Sequence, residues 1–226
     1  MLDKLQTSDK LEIENNLDAD EGSIQSFSGK RAMDIFISIA GILIVAPILL
    51  TVAILVSLDG GPVLFRQKRI GFRGAAFPCL KFRTMVPDAE AALARHLREC
   101  PMAAREWEKD QKLRIDPRVT KIGRFLRKYS LDELPQLFNV LKGEMSIVGP
   151  RPIVYQEAQR YGADFNYYIS VRPGITGLWQ VSGRNDTSYS YRVMLDKEYA
   201  QNHTIWGDVI IILKTFAVVF FAKGAY

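Results

Sequence analysis

Residues 35–58 read IFISIAGILIVAPILLTVAILVSL, twenty-four positions without a charged side chain. A helix needs about 20 apolar residues to cross the hydrocarbon core of a bilayer. A run that is apolar on every side also does not suit a surface helix with one wet face. Yet Pro47 stands at the midpoint, with 12 residues of the run before it and 11 after. As a helix, each arm is about 17 Å long, half a bilayer. Proline removes one backbone donor and crowds the preceding turn, so a bend is expected there. Both flanks are basic: Lys30 and Arg31 precede the run, and Arg66, Lys68, Arg69 and Arg73 follow it. Lys and Arg collect on the cytoplasmic side of a membrane. These residues leave two topologies open, a re-entrant hairpin broken at Pro47 and a kinked span.

The chain of 226 residues is long enough for one domain with a real core, and its net charge is +5. The charge is unevenly placed. Residues 1–28 hold seven acids against Lys4 and Lys10, a balance of −5, so the other residues carry +10. The acidic tail lacks sustained periodicity and reads as disordered. Its Asp18-Ala19-Asp20 triplet has no apolar strand before it to hold a metal-bound nucleotide. Nor does the N-terminus have the pattern of a signal peptide. A basic body implies an anionic partner: a phospholipid surface, a phosphorylated substrate or nucleic acid. Cys79 and Cys100 show neither metal spacing nor a disulfide framework.

Beyond the apolar run, glycines, β-branched residues and aromatics over 59–85 imply short strands joined by turns. Residues 88–112 are rich in Ala, Glu and Arg and read as helical. Within 121–129, Ile122, Phe125, Leu126 and Tyr129 recur at helical spacing among Lys121, Arg124, Arg127 and Lys128. That is a basic amphipathic helix able to lie on an anionic membrane. Residues 171–184, VRPGITGLWQVSGR, read as a turn-rich loop whose glycines let the backbone approach a ligand. Trp179 there suits base stacking and packing equally. The run after Ile205 is apolar but carries Asp208 and Lys214, so it reads as a helix on the membrane or against the domain.

Between these lies SLDELPQLFNVLKGEMSIVGPRP, residues 130–152, with Asp132 and Glu133 side by side among bases. Ser130 and Glu133 match a capping box. With Ser130 as the cap, however, Pro135 would fall deep in the first turn, where its missing donor matters. Pro135 fits better as the first helical residue. Leu134, Leu137, Phe138 and Leu141 then share a face, Gly143 ends the helix, and the two acids sit at its mouth, where the dipole favours negative charge.

The segments LFRQKRIG (64–71), KFRTM (81–85), DPRVTKIGRFLRKYSLDELPQLFNVLKGEMSIVGPRP (116–152) and RPGITGLWQVSGR (172–184) resemble the bacterial sugar transferases, monotopic polyprenol-phosphate phosphoglycosyl transferases. The resemblance covers about residues 29–226, and its specificity lies in the long middle block. Its nearest likeness is to members that move galactose or glucose phosphate from a UDP-sugar to undecaprenyl phosphate at the start of exopolysaccharide synthesis.

The resemblance implies a mainly helical α+β fold. After the tail (1–28), read as disordered from its composition and outside the resemblance, it implies a re-entrant membrane helix (29–58) and a catalytic domain (59–226) with amphipathic membrane-surface helices and a few short strands. It places the chain on the cytoplasmic face of the inner membrane. Catalysis falls to Asp132 and Glu133, with Mg²⁺ on the same two carboxylates.

Donor and acceptor are both anionic, so direct transfer brings like charges together. A carboxylate nucleophile divides the step in two. On this expectation Asp132 attacks phosphorus, Glu133 holds the metal, and Lys81, Arg127, Arg151 and Arg184 bind phosphates through charge-assisted hydrogen bonds. A purely general-base role for Asp132 has little proton to remove, because the acceptor phosphate is already ionised. A non-catalytic nucleotide-sugar scaffold and a nucleic-acid binder are the rival classes. The carboxylates speak against the first and the apolar hairpin against the second. Neither the sugar nor the assembly, a homodimer among the options, is readable from these residues.

Overall fold

The structure, a computed structural model, describes residues 27–110, 113–183 and 187–220. The acidic tail before residue 27 and Arg184 lie outside them. The architecture is mainly helical α+β, with one long apolar helix at the N-terminal side and two small sheets.

The apolar run forms helix α1, Phe27–Ser57, which continues through Pro47 rather than splitting into two helices there. The turn after Pro47 carries an extra bond, from the Thr51 hydroxyl to the Pro47 carbonyl (2.8 Å). Thirty-one residues make a rod about 46 Å long. Asp34, Ser38, Gly41, Val45, Leu49, Val52 and Val56 form one buried or half-buried face along it. The opposite face exposes Phe36, Leu43, Ile44 and Leu50. The helix is therefore not alike on all sides, because the domain lies along it.

Both ends of α1 are tied to that domain. At the start, Lys30 Nζ reaches Asp208 Oδ2 (2.5 Å), the Tyr199 hydroxyl and the Val148 carbonyl (both 3.0 Å). Arg31 caps two carbonyls, Val140 (2.6 Å) and Leu141 (2.9 Å), and Asp34 accepts from Ser146 and Ile147. At the far end Val52 and Val56 pack with Phe82 and Leu126.

Strands β1 (Leu64–Ile70) and β2 (Ala76–Phe82) form an antiparallel hairpin with Gln67 opposite Cys79 and Phe65 opposite Lys81. The expected helix over 88–112 is two helices, α2 (Ala89–Glu99) and α3 (Pro101–Asp110). Pro101 forces Cys100 into extended backbone (φ −127°, ψ 97°) and starts a new helix. Helix α4 (Lys121–Lys128) begins where Thr120 accepts the Gly123 N–H. Its apolar stripe divides: Leu126 is buried in the domain, while Phe125 and Tyr129 are exposed.

A 3-10 turn, Leu131–Glu133, leads into α5, Gln136–Lys142. Ser130 adopts φ 55° and makes no capping bond, so the acids are not part of a capping box. Pro135 directly precedes α5 with helical backbone, and Gly143 ends it at φ 84°. The buried face of α5 is Gln136, Asn139 and Val140 rather than the leucine face, because α5 lies between α1 and β2. Asn139 pins β2 by accepting from Leu80 N and donating to Pro78 O.

Parallel strands β3 (Ser146–Val148) and β4 (Gly174–Thr176) are surrounded by short helices α6 (Tyr155–Ala158), α7 (Phe165–Ile169) and α8 (Leu178–Val181). The longer α9 (Tyr189–Asn202) and α10 (Ile205–Phe220) follow. The glycines of 172–177 serve backbone packing. A Cβ on Gly174 would lie 2.1 Å from the Gly149 amide nitrogen, and one on Gly149 would lie 2.3 Å from the Arg172 carbonyl oxygen.

Candidate active site

A cleft forms where β2, the 3-10 turn and the loop after β3 converge, lined by Arg69, Cys79, Lys81, Glu133, Gln136 and Arg151 among others. Lys81 projects from β2 and meets Glu133 at 2.6 Å, and Arg151 stands 3.7 Å from the same Glu133 oxygen. Asp132, next in the turn, is 9 % exposed. Burial and the neighbouring Glu133 charge push its carboxyl up to about 6, against the partly offsetting attraction of Lys81 and Arg127. Arg127 also donates from Nε to the Thr84 hydroxyl (2.9 Å). Lys81, Glu133 and Arg151 thus meet directly, and Asp132 and Arg127 join them electrostatically.

Arg69 belongs to the same cleft, although in the sequence it reads only as part of the basic flank after the apolar run. The signal was present: with strand period two, Gln67 and Arg69 share a face with their cross-strand partners Cys79 and Phe77, and Lys81 follows on it. Burial and the charge of Arg151 hold the Arg69 guanidinium below its usual range, the mark of cations crowded together. Trp179 packs: it is buried, donates to the Thr187 hydroxyl (2.9 Å) and lies under the Arg192 guanidinium at 4.7 Å. Arg124 and Lys128 are exposed.

Among the described residues no group of three or more His, Cys, Asp or Glu comes together. The adjacent Asp132 and Glu133 nonetheless suit Mg²⁺, which takes one or two carboxylates and completes its shell with substrate phosphates and water. Chemically the arrangement offers a buried carboxylate, Asp132, adjacent to Glu133 in the wall of a cationic cleft.

A family model described as "Bacterial sugar transferase" matches residues 25–222. The chain is 50 % identical over 216 residues to the undecaprenyl-phosphate galactose phosphotransferase of Salmonella typhimurium, a match covering 96 % of this chain and 44 % of that protein. It is 45 % identical over 208 residues to the exopolysaccharide production protein ExoY of Rhizobium meliloti, covering 91 % and 92 %. It is 41 % identical over 211 residues to the undecaprenyl-phosphate glucose phosphotransferase of Komagataeibacter xylinus, covering 87 % and 37 %. The chain thus spans less than half of the galactose and glucose phosphotransferases but nearly all of ExoY.

Proposed function

The chain belongs to the bacterial sugar transferase family, and from that premise we propose that it transfers a hexose 1-phosphate, galactose or glucose, from a UDP-sugar to undecaprenyl phosphate, releasing UMP. The observation that carries this is Asp132, buried beside Glu133, which lines a cleft together with Lys81, Arg69 and Arg151. Product and position fit a first membrane step of exopolysaccharide synthesis.

In the first half-reaction a carboxylate oxygen of Asp132 attacks the sugar-bearing phosphorus. The bond from that phosphorus to the UMP oxygen breaks, and UMP leaves with the electron pair. In the second, an oxygen of undecaprenyl phosphate attacks the same phosphorus, and the bond to Asp132 breaks, restoring the carboxylate. With its pKa near 6, Asp132 is mostly ionised at neutral pH yet more basic than a solvated aspartate. Lys81, Arg151 and Arg69 offset the phosphate charge that would repel it, and Arg127 supports the charged form of Asp132. Asp132 and Glu133 would hold Mg²⁺, which supplies further neutralisation of the phosphates. Bound substrate would then replace part of the hold that Lys81 and Arg151 have on Glu133.

The proposal includes a re-entrant, monotopic placement on the cytoplasmic face of the inner membrane. It is supported by α1, long and apolar enough to cross a membrane, having both ends on one body. The test is UMP release from UDP-galactose and UDP-glucose with undecaprenyl phosphate and Mg²⁺, together with radiolabel from the UDP-sugar retained on the protein without acceptor. Asp132→Asn should lose both. Absence of UMP release from either donor, or sustained turnover by Asp132→Asn, would overturn the assignment.

A further inference from the structure

Arg151 enters the cleft from a loop that is gripped from two sides through its backbone. On one side, Arg69 Nη1 donates to the Pro152 carbonyl (3.1 Å), and its Nη2 donates to Gln67 Oε1 (2.6 Å). On the other, Arg192 Nη2 donates to the Arg151 carbonyl (3.2 Å). Neither gripping arginine is solvated freely; their side chains are 15 % and 7 % exposed. Both converge on one carboxylate. Glu157 Oε2 lies 3.5 Å from Arg69 Nη1, and Glu157 Oε1 lies 3.5 Å from Arg192 Nη1. The same Oε2 accepts the Val154 N–H (3.0 Å), fixing Glu157 at the start of α6.

We infer that Glu157 is a positioning residue, a clamp that spreads one carboxylate over two arginines and so sets where Arg151 and Arg69 meet the phosphates. The reading rests on the anion cleft of the proposed transferase. Glu157 itself does not line that cleft, whereas Arg69 and Arg151 do. Arg192 suits the intermediary part because it is otherwise immobilised: Trp179 (4.7 Å) and Tyr189 (5.2 Å) pack on its guanidinium. Asp196, held by the Tyr161 hydroxyl (2.7 Å), lies 3.6 Å from Arg192 Nε. A guanidinium so enclosed transmits a change at Glu157 to the Arg151 carbonyl instead of absorbing it.

Charge alone and positioning predict opposite signs. Removing a carboxylate near an anion site makes that site more positive, so simple Coulomb attraction predicts tighter binding of a diphosphate. Loss of the clamp predicts weaker binding. Glu157→Gln is the discriminating variant, since its amide oxygen can still accept the Val154 N–H while the ionic hold on both arginines is lost. Glu157→Asp keeps the charge but is one methylene too short to span them.

The experiment measures UDP binding by calorimetry on the full chain in lipid nanodiscs, alongside UMP release. Both Glu157 variants should bind UDP about tenfold more weakly, with melting temperatures near wild type. In an Arg192→Lys background, itself weakened, Glu157→Gln should add less than threefold. Equal or tighter UDP binding by Glu157→Gln, or losses that multiply in the double variant, would overturn the clamp. So would weakened binding that merely follows lowered melting temperature; if Glu157→Gln does not fold, Arg192→Lys alone must show the weakened binding. A wild type that binds UDP without turnover would sink the proposed transfer and leave the clamp standing. A wild type that does not bind UDP would sink both.

Discussion

Asp132 sets stability against reactivity. In the unfolded chain its carboxyl titrates near 3.8, and in the folded protein near 6. The folded state therefore holds this proton more tightly. Its stabilising contribution is complete below the lower value and is lost as the pH rises through the upper one, a difference of about 3 kcal/mol. Asp132→Asn carries no charge at any pH. In detergent at pH 7.5 it should melt at least about 3 °C above wild type, with the gap narrowing below pH 6, while protein labelling from the UDP-sugar disappears. A melting temperature at or below wild type at pH 7.5 would contradict the buried, strained carboxylate. Wild-type labelling without acceptor should fall as the pH drops below about 6, because a UDP-sugar has no ionisation there and Asp132 does. Among the bases, Arg127→Ala should cost about tenfold in turnover through the loss of its charge near Asp132, and Arg124→Ala, one turn earlier on α4, less than twofold. Equal losses would return the basic helix to a purely membrane-facing role. Lys81, Glu133 and Arg151 were reached in the sequence through the motifs that carry the family resemblance, KFRTM, SLDELP and GPRP. Arg69, Glu157 and Arg192 were hidden because their meaning lies in contacts between segments far apart in the chain.

At the scale of elements, local chemistry drew the boundaries and tertiary packing chose the faces. Pro101, Pro135 and Gly143 mark helix ends by backbone rules that need no neighbour. Which side of α5 is buried depends on α1 and β2 flanking it, so the leucine face yielded to Gln136 and Asn139. The loop around 174 gained a strand because Gly149 and Gly174 permit two backbones to touch. The joint most exposed to test is where α1, β3, α9 and α10 meet: Lys30 binds Asp208, Tyr199 and Val148 together, and Asp208 is fully buried. Removing one member of a buried pair leaves the other charge uncompensated and costs roughly 3–5 kcal/mol. Lys30→Met should thus lower the melting temperature in detergent by about 6–20 °C, and Lys30→Met with Asp208→Asn should recover a good part of that. Additive losses in the double variant would mean that the two residues stabilise the joint independently.

For the whole molecule, the governing fact is that the apolar helix lies along the domain instead of projecting from it. Lys30 binds at one end, and Val52 and Val56 pack against Phe82 and Leu126 at the other. The length of α1, about 46 Å, exceeds the roughly 30 Å of a hydrocarbon core, so length alone permits a span. Contact opposes it. Were the two ends on opposite sides, the body holding both would have to cross the bilayer with its buried charges, including Arg83, Arg192 and Asp196. Exposed apolar side chains occur on the outer face of α1 (Leu43, Ile44, Leu50) and again on α10 (Trp206, Ile210, Leu213, Phe216). These side chains form apolar surface that the proposed monotopic placement would set against lipid. Sequence had left span and hairpin open from the residues, since Pro47 and the basic flanks speak only to local bending and to the termini of the run. In a Cys79→Ala, Cys100→Ser background, Ser28→Cys and Arg66→Cys should both react with an impermeant maleimide in inside-out vesicles, and neither in intact spheroplasts. Labelling of the two positions from opposite sides would establish a spanning helix and require the contacts at one end of α1 to open in the membrane.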